Sequence, residues 1–495
     1  MYQVIGKNYI NGQWVELKNH FYSLNPSNTN EDIGIFPQSV YSEVDLAVEA
    51  AKDAFRSWKS LSRINRAEYF NAFVKNVEKN FDELVHLMCR ESGKQINECK
   101  ADVIEGIHMA QYNFGRARMP YGEVMASEIA SKDAFMLRKP KGVIAAITPW
   151  NFPFAIPLWL IIPSLLEGNT VVFKPSEDTP AVGEFLVKMF DEVSLPPGVL
   201  NLVQGDGGTG WDLVTNTDIK VVLFTGSYAV GSKIRKECAG SIDKMAVCEM
   251  GGKNAIIVLE DADLDLAVNA CILSAFKTAG QRCVSASRLI VHRSILKEFE
   301  DKFVNKAKNL IVGDPLDSST FMGPVINLEA INKILSYNDM ARKEGVEILL
   351  NGSRLVEGKY WDGYFMSPFV YETENRFSKV LKEEVFGPHV AIIPFDTLED
   401  AVSLYNSTDY GFALAVISND YRKIKYLQQN CDFGVGYVNL PSIGAEVHLP
   451  FGGTKKSGSG MPSASALIDA VTHRVAWTVN YADEIQLAQG LNAKV

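Results

Sequence analysis

The sequence predicts an α/β fold: a doubly wound parallel sheet, a second α/β unit and a small antiparallel β arm. Three observations carry that prediction. Between Val143 and Met250, short continuous apolar runs alternate with amphipathic stretches of helical spacing, the pattern of strands buried on both faces beneath helices. A second block of the same texture runs from Asn254 to Asn439. Two short strand-like runs meet at a polar turn, Ser131-Lys132, ahead of both blocks. At 495 residues the chain also exceeds the ~250–300 residues at which single cores stop growing, so two or three domains are expected.

In chain order, the first hundred residues read as mostly helical. Ser42 and Asp45 open a helix whose apolar positions Val44, Val48, Ala51, Phe55 and Trp58 recur at three- and four-residue steps, and a second amphipathic run covers Ala67 to Met88. MASEIA and AFMLRKP form the hairpin, with VAWTVNY near the C-terminus as a candidate third strand. The first parallel unit follows as GVIAAIT, NTVVFK with a helix over Ala181–Val193, GVLNLVQ, KVVLFTG with a helix over Tyr228–Ala239, and KMAVCEM. That succession is Rossmann-like and dinucleotide-binding in type. The second unit comprises NAIIVL, SRLIVH, VEILLN, VAIIPF, ALAVISN and GVGYVN, with the junction near Gly251-Gly252. These readings divide the chain into a nucleotide-binding domain (1–120 and 141–250), a second α/β domain (251–447), and an arm with its tail (121–140 and 474–495). No repeat of fixed period and no low-complexity linker interrupts them.

Composition narrows the function classes. A net charge of −10 provides no basic footprint for nucleic acid or anionic lipid. Seven scattered cysteines, an odd number in a chain too large to need disulfide staples, fit a reducing cytoplasm. MYQVIGKNYINGQWV lacks the unbroken apolar core of a signal peptide. From Ala145 to Leu166 no residue is charged, but Pro149, Pro153, Pro157 and Pro163 would leave backbone groups unpaired in lipid, so a buried protein interior is expected there and no membrane span.

Several motifs point to chemistry. Gly205-Asp-Gly207-Gly208-Thr-Gly210 matches a dinucleotide fingerprint as a string, but no acidic residue ends a strand about 20 positions on, and it reads as a structural turn. FTGSYAVG, from Phe224 to Gly231, is the better phosphate loop. Gly226 permits a tight turn, Ser227 can cap the next helix, and the free N–H groups at that helix start can hold a pyrophosphate. Lys174 and Glu177, at the carboxyl end of a parallel strand, are suited to the two hydroxyls of an adenosine ribose, and Glu177 would repel a 2′-phosphate, favouring NAD over NADP. Cys283, in KTAGQRCVSASRL, sits among glycine and polar residues where a core thiol is unexpected; ionised, it is a nucleophile. Glu249, leaving a buried strand into a glycine turn, is the candidate base, with a strand-end salt bridge as the alternative. Asn151, with the Cys283 N–H, can supply two donors to an oxyanion, or can be a satisfied turn residue. No His motif suggests a Cys–His pair, and no HExxH or paired CxxC suggests a metal.

TPWNFP (148–153), KPSE (174–177), FTGSYAVG (224–231), EMGGKN (249–254), GQRC (280–283), EEVFGP (383–388) and PFGGTKKSG (450–458) stand in the order and rough spacing of the aldehyde dehydrogenase superfamily, which the chain resembles over nearly its whole length. The resemblance implies Cys283 as nucleophile, Glu249 as general base and Asn151 as oxyanion donor. It puts Thr148, Trp150, Lys174, Glu177, Phe224, Gly226, Ser227, Val230 and Gly251 at cofactor positions, with Glu384 and Phe386 holding the nicotinamide ribose and ring. It also implies NAD as cofactor, an aldehyde as substrate, the 251–447 domain as catalytic, and a homodimer or homotetramer in which the hairpin and the late strand pair across subunits. The loop LPSIGAEVHLP, with Gly444, Ala445 and the nearby Arg282, resembles α-aminoadipic semialdehyde dehydrogenase. EMGGKNAIIV is similar to 1-pyrroline-5-carboxylate dehydrogenase, and TPWNFPFAIPLW to α-ketoglutaric semialdehyde enzymes. All three act on aldehydes with a distant carboxylate, so an acidic semialdehyde bound through amides near Gly444 and Ala445 is expected. Simple aliphatic or aromatic aldehydes, a CoA-acylating reaction and a silent family member are the alternatives. Two departures stand out: Met461-Pro462 where many relatives carry Arg-Glu, and Val284 where the pyrroline-carboxylate enzymes carry serine.

Overall fold

A computed structural model describes residues 4–460 and 463–488. Five strands between Val143 and Met250 and two from the N-terminal segment form one seven-stranded sheet in the order Met245–Glu249, Ile219–Thr225, Val143–Ile147, Thr170–Lys174, Leu200–Leu202, Asn8–Ile10, Gln13–Val15. The first five strands are parallel, and Asn8–Ile10 runs antiparallel to both of its neighbours. Val143–Ile147 and Thr170–Lys174 are buried at every position, which is why they read as continuous apolar runs. From Val143–Ile147 the chain moves outward to one side, then returns to the other side with Ile219–Thr225. The strand order therefore reverses between these two, and the crevice beyond their carboxyl ends is where such sheets take ligands.

A second seven-stranded sheet runs Glu347–Leu350, Phe369–Glu372, His389–Phe395, Ala286–His292, Asn254–Val258, Ala413–Ile417, Val435–Val438. It is parallel except for the Glu347–Leu350 edge. Phe369–Glu372 was not expected, since FVYE is too short to stand out without its neighbours. After Pro450 the chain returns to the first sheet: Glu249 bridges to Gly458, and the Met250 N–H donates to the Ser457 carbonyl at 2.8 Å.

Several expectations are corrected. Residues 4–37 are not helical but form five strands, from Val4–Ile5 to Asn28–Pro37, most of them two or three residues long and defined by their pairing partners. The first helix spans Tyr41–Ser60 with Val40, not Ser42, at its cap; the Val40 N–H donates to Glu43 at 3.0 Å. The run Ala67 to Met88 is two helices, Arg63–Lys79 and Phe81–Ser92, parted at Asn80, whose side-chain amide donates to the Asn76 carbonyl at 2.9 Å. In the arm, MASEIA is strand only at its start, within Glu123–Met125. Its neighbour Lys132–Pro140 pairs along its whole length with Thr472–Asn480 of the same chain, not across subunits as the resemblance implied, and Arg138 bonds to Asp469 at 2.7 Å beside that ladder.

The uncharged stretch Ala145 to Leu166 is a central strand followed by the twelve-residue helix Ala155–Leu166, buried at every position. Among the described residues no helix is long and apolar enough to cross a membrane. Met461-Pro462 and the last seven residues of the tail lie outside the described residues.

Candidate active site

Cys283 is positioned by an unusual turn. The helix Leu264–Phe276 ends, and Thr278, Ala279 and Gly280 then take φ of 54°, 53° and 71° in succession. Left-handed backbone at two non-glycine residues costs roughly 1–2 kcal/mol each and is held by its surroundings. At Gly280 a Cβ would lie 2.3 Å from the Gly387 carbonyl oxygen, so only glycine fits. Asn254 fastens the far side by donating to the Cys283 and Ser285 carbonyls at 2.6 and 3.0 Å. Six of the seven cysteines are buried; Cys283 alone is partly open.

Glu249, at the carboxyl end of its strand and only 1% exposed, places Oε1 4.0 Å from Cys283 Sγ. Burial pushes the thiol well above its ordinary value, the carboxylates of Glu249 and Glu384 push it further, and Arg282 and the Cys283 N–H act in the opposite direction. The thiol is therefore protonated at rest, and to act as a nucleophile it would need a base to take its proton. Asn151 follows the central strand and donates from Nδ2 to the Gln281 carbonyl at 3.0 Å, leaving its second amide hydrogen for another acceptor. Asn151 and Cys283 line one cavity of about 190 Å³.

The crevice at the strand-order reversal is a cleft of about 510 Å³. Thr148 and Trp150 line it from the end of Val143–Ile147, and Lys174 and Glu177 from the end of Thr170–Lys174. Phe224, Gly226, Ser227 and Val230 line it from the phosphate loop. A Cβ at Gly226 would meet the Phe224 ring at 2.5 Å, and Ser227 caps the helix Tyr228–Cys238 by accepting from the Val230 N–H at 3.4 Å. First-turn N–H groups, without intrahelical partners, make that helix start able to hold an anion. Thr148 Oγ1 is buried in this cleft with no hydrogen-bond partner, and Lys174 Nζ lies 3.5 Å from Glu177. An orphaned hydroxyl, a carboxylate–ammonium pair and an anion-binding helix start fit a dinucleotide. Gly205 to Gly210 sits elsewhere, on the turn into helix Gly207–Thr215, and contributes only the wall formed by Gly207 and Gly210.

Between cleft and thiol stand Gly251, Glu384 and Phe386. Glu384 accepts from the Gly252 N–H at 2.8 Å, and a Cβ on Gly251 would lie 2.0 Å from its Oε2. Phe386, at a φ of 62°, packs edge-on against Trp150 with centroids 5.7 Å apart and lines both spaces.

On the other side of Cys283 lies a pocket of about 50 Å³, lined by Arg282, Gly444 and Ala445 as anticipated, and by Glu105, Phe152, Trp159 and Phe451, which were not. The Arg282 guanidinium is engaged: it donates to Glu98 at 2.5 Å and to Thr278 at 2.8 Å. The loop is held by Ser442, which donates to the Val284 carbonyl at 2.7 Å, and by Tyr437, whose hydroxyl donates to the Gly444 carbonyl. Glu105 carries no local sequence signal, being one polar residue within the helix Ile96–Arg116. Among the described residues no group of His, Cys, Asp or Glu is arranged to hold a metal.

Known proteins share this fold and sequence pattern. The model of the aldehyde dehydrogenase family matches residues 14–476. The chain is 35% identical to alpha-ketoglutaric semialdehyde dehydrogenase of Bacillus subtilis, over 91% of this chain and 93% of that protein. It is 37% identical to the peroxisomal aminoaldehyde dehydrogenase 1 of Pisum sativum, over 91% of each. A crystal structure of betaine aldehyde dehydrogenase from Staphylococcus aureus in complex with NAD+ superposes with a TM-score of 0.93 at 32% identity, covering 97% of this chain and 95% of that one.

Proposed function

The chain belongs to the aldehyde dehydrogenase family, and from that premise we propose that it oxidises a carboxylate-bearing semialdehyde to the acid through a thioester on Cys283. The observation that carries the reading is that Cys283 lies where two spaces meet: one shared with Glu384 and Phe386, the other with Gly444 and Ala445. A nucleophile so placed reaches an aldehyde from one side while the redox partner approaches from the other.

The cofactor is NAD. Lys174 and Glu177 would hold its adenosine ribose, the start of helix Tyr228–Cys238 its pyrophosphate, and Glu384 with Phe386 its nicotinamide half. Bound there, it accepts the hydride that leaves the aldehyde carbon. The residues do the rest. Glu249 takes the thiol proton across the 4.0 Å contact as Cys283 Sγ bonds to the carbonyl carbon. The Asn151 amide and the Cys283 N–H hold the resulting oxyanion, each such donor worth roughly 3–4 kcal/mol in comparable sites. Once the thioester has formed and Glu249 has released the thiol proton to solvent, Glu249 takes a proton from water; the water oxygen bonds to the acyl carbon, the carbon–sulfur bond breaks, the thiolate recovers the proton from Glu249, and the acid departs. A glutamate at 249 supports hydrolysis over transfer to CoA. Asp178 and Glu329 join Glu177 around the cleft, outnumbering Lys174 and Lys333, and these carboxylates oppose a 2′-phosphate.

The semialdehyde is supported by the open amides at Gly444 and Ala445 and by the Bacillus subtilis relative. An amine-bearing aldehyde is the second reading, favoured by the Glu105 carboxyl beside Phe152 and Trp159 and by the Pisum sativum relative. A panel of aldehydes of matched length with anionic, neutral and cationic ends, followed by NADH absorbance, decides: the anionic member should show the highest kcat/KM at pH 7, and a cationic preference would replace the first reading by the second. A homodimer or homotetramer is supported by exposed Val124 and Trp477 on the arm and by the open sheet edge Val435–Val438; sedimentation tests it. Free thiols support a cytoplasmic setting.

A further inference from the structure

The pocket beyond Cys283 has one feature the mechanism does not use. Glu105 reaches into it from helix Ile96–Arg116, and its Oε1 is buried without a hydrogen-bond partner. The two other buried carboxylates nearby are already matched, and the third carboxylate, Glu446, is largely exposed to solvent. Asp102, on the same helix, bonds to Lys94 at 2.7 Å and accepts the Ala155 N–H at 2.7 Å. Arg282, from the nucleophile segment, bonds to Glu98 at 2.5 Å. On the loop, Glu446 bonds to His448 at 3.3 Å. The helix Ala155–Leu166 contributes Ile156 and Trp159 without charge, and the edge strand contributes the Tyr437 hydroxyl, turned to Gly444. The protonation of Glu105 therefore sets the net charge that a substrate tail meets.

We propose that Glu105 reads the charge at the far end of the substrate: as an acid its O–H donates to a carboxylate held beside Gly444 and Ala445, and as an anion it rejects that group and accepts a cation instead. The inference rests on the reading that this pocket takes the distal end of the aldehyde. The acid form is the one present at neutral pH, because burial first and the Asp102 charge second push the carboxyl up to about 8, against smaller opposing effects of Lys94, Arg282 and the Trp159 indole N–H beside it. Above that value the group ionises in a pocket with no spare cation, and a tail carboxylate is repelled. One residue thus gives the enzyme a preference for tail charge that inverts with pH.

The test is the ratio of kcat/KM for an anionic semialdehyde to that for an uncharged aldehyde of equal length, measured from pH 6 to 9.5 in wild type and Glu105→Gln. Ionisation of Cys283 and Glu249 affects both substrates and cancels, as does any partial loss of folded enzyme. With a carboxyl near 8, the wild-type ratio should fall about tenfold between pH 7 and pH 9. The corresponding ratio for an aldehyde bearing a quaternary ammonium, whose charge does not titrate, should rise over the same interval. Glu105→Gln, which keeps a donor but cannot ionise, should flatten both curves. A flat wild-type ratio, an unchanged slope in the variant, or no turnover of the anionic aldehyde at any pH overturns the proposal. If the neutral or cationic aldehyde is preferred throughout while the slope appears in wild type and vanishes in the variant, Glu105 keeps its role and only the semialdehyde reading falls. A preferred semialdehyde with a flat ratio has the opposite meaning.

Discussion

Gly251→Ala is the sharpest steric test of the cofactor site. The added Cβ would lie 2.0 and 2.2 Å from the two carboxylate oxygens of Glu384 and 2.3 Å from its Cδ. Ordinary contacts begin near ~3.4 Å, so the carboxylate has to retreat by about 1 Å or more. Such a move breaks the 2.8 Å bond from the Gly252 N–H, which fixes Glu384 between the cleft and Cys283. A hydrogen bond to a charged group contributes about 1.5–3 kcal/mol, so a ribose held by a correctly placed Glu384 should lose about 10- to 100-fold in affinity. The assay is NAD binding by quenching of protein fluorescence, with circular dichroism and thermal unfolding to show that the fold is retained. A well-folded Gly251→Ala protein that binds NAD as tightly as wild type would refute the assignment of Glu384 to the cofactor.

Glu177→Ser removes the exposed carboxylate 3.5 Å from Lys174 and should raise the kcat/KM for NADP relative to NAD by tenfold or more, read from initial rates; no change removes Glu177 from the ribose site. Asp102→Ala leaves the buried Lys94 ammonium and the Ala155 N–H without their partner, so urea unfolding should show a loss of about 3–5 kcal/mol. Because burial and two carboxylates push the Cys283 thiol well above its ordinary value, the reactive thiolate accumulates only as pH rises. Alkylation of the cofactor-free enzyme by iodoacetamide should thus still be accelerating at pH 9, and a plateau below pH 8 would contradict that environment.

The parts of this molecule readable in the sequence are those whose cause is local. The parallel strands announce themselves because Val143–Ile147 and Asn254–Val258 are buried on both faces and cannot carry polar residues. Cys283, Glu249 and Asn151 stand out because each follows or precedes a turn that needs glycine or proline, and turns leave marks in sequence. What could not be read depends on partners far along the chain. Lys132–Pro140 meets a strand more than 330 residues away, and nothing local tells an intrachain ladder from an intersubunit one. Most of the opening strands are two or three residues long and exist through their neighbours. Thr278 and Ala279 adopt left-handed backbone without being glycine, so the turn that aims Cys283 is invisible. Glu105 looks like any polar residue of a helix, and only the packing of Trp159 and the 444–445 loop against it makes it part of a pocket.

The central claim is a covalent bond between Cys283 and the substrate that Glu249 helps to resolve. Its most direct test mixes Glu249→Gln enzyme with NAD and aldehyde, follows NADH in a stopped-flow instrument, then quenches in acid and measures the mass of the peptide containing Cys283. The account predicts a slowed burst of at most one NADH per site, because the thiol proton must now leave to solvent, then a stall with an acyl group on Cys283. Sustained turnover at the wild-type rate, or an acyl group on any other residue, would contradict it.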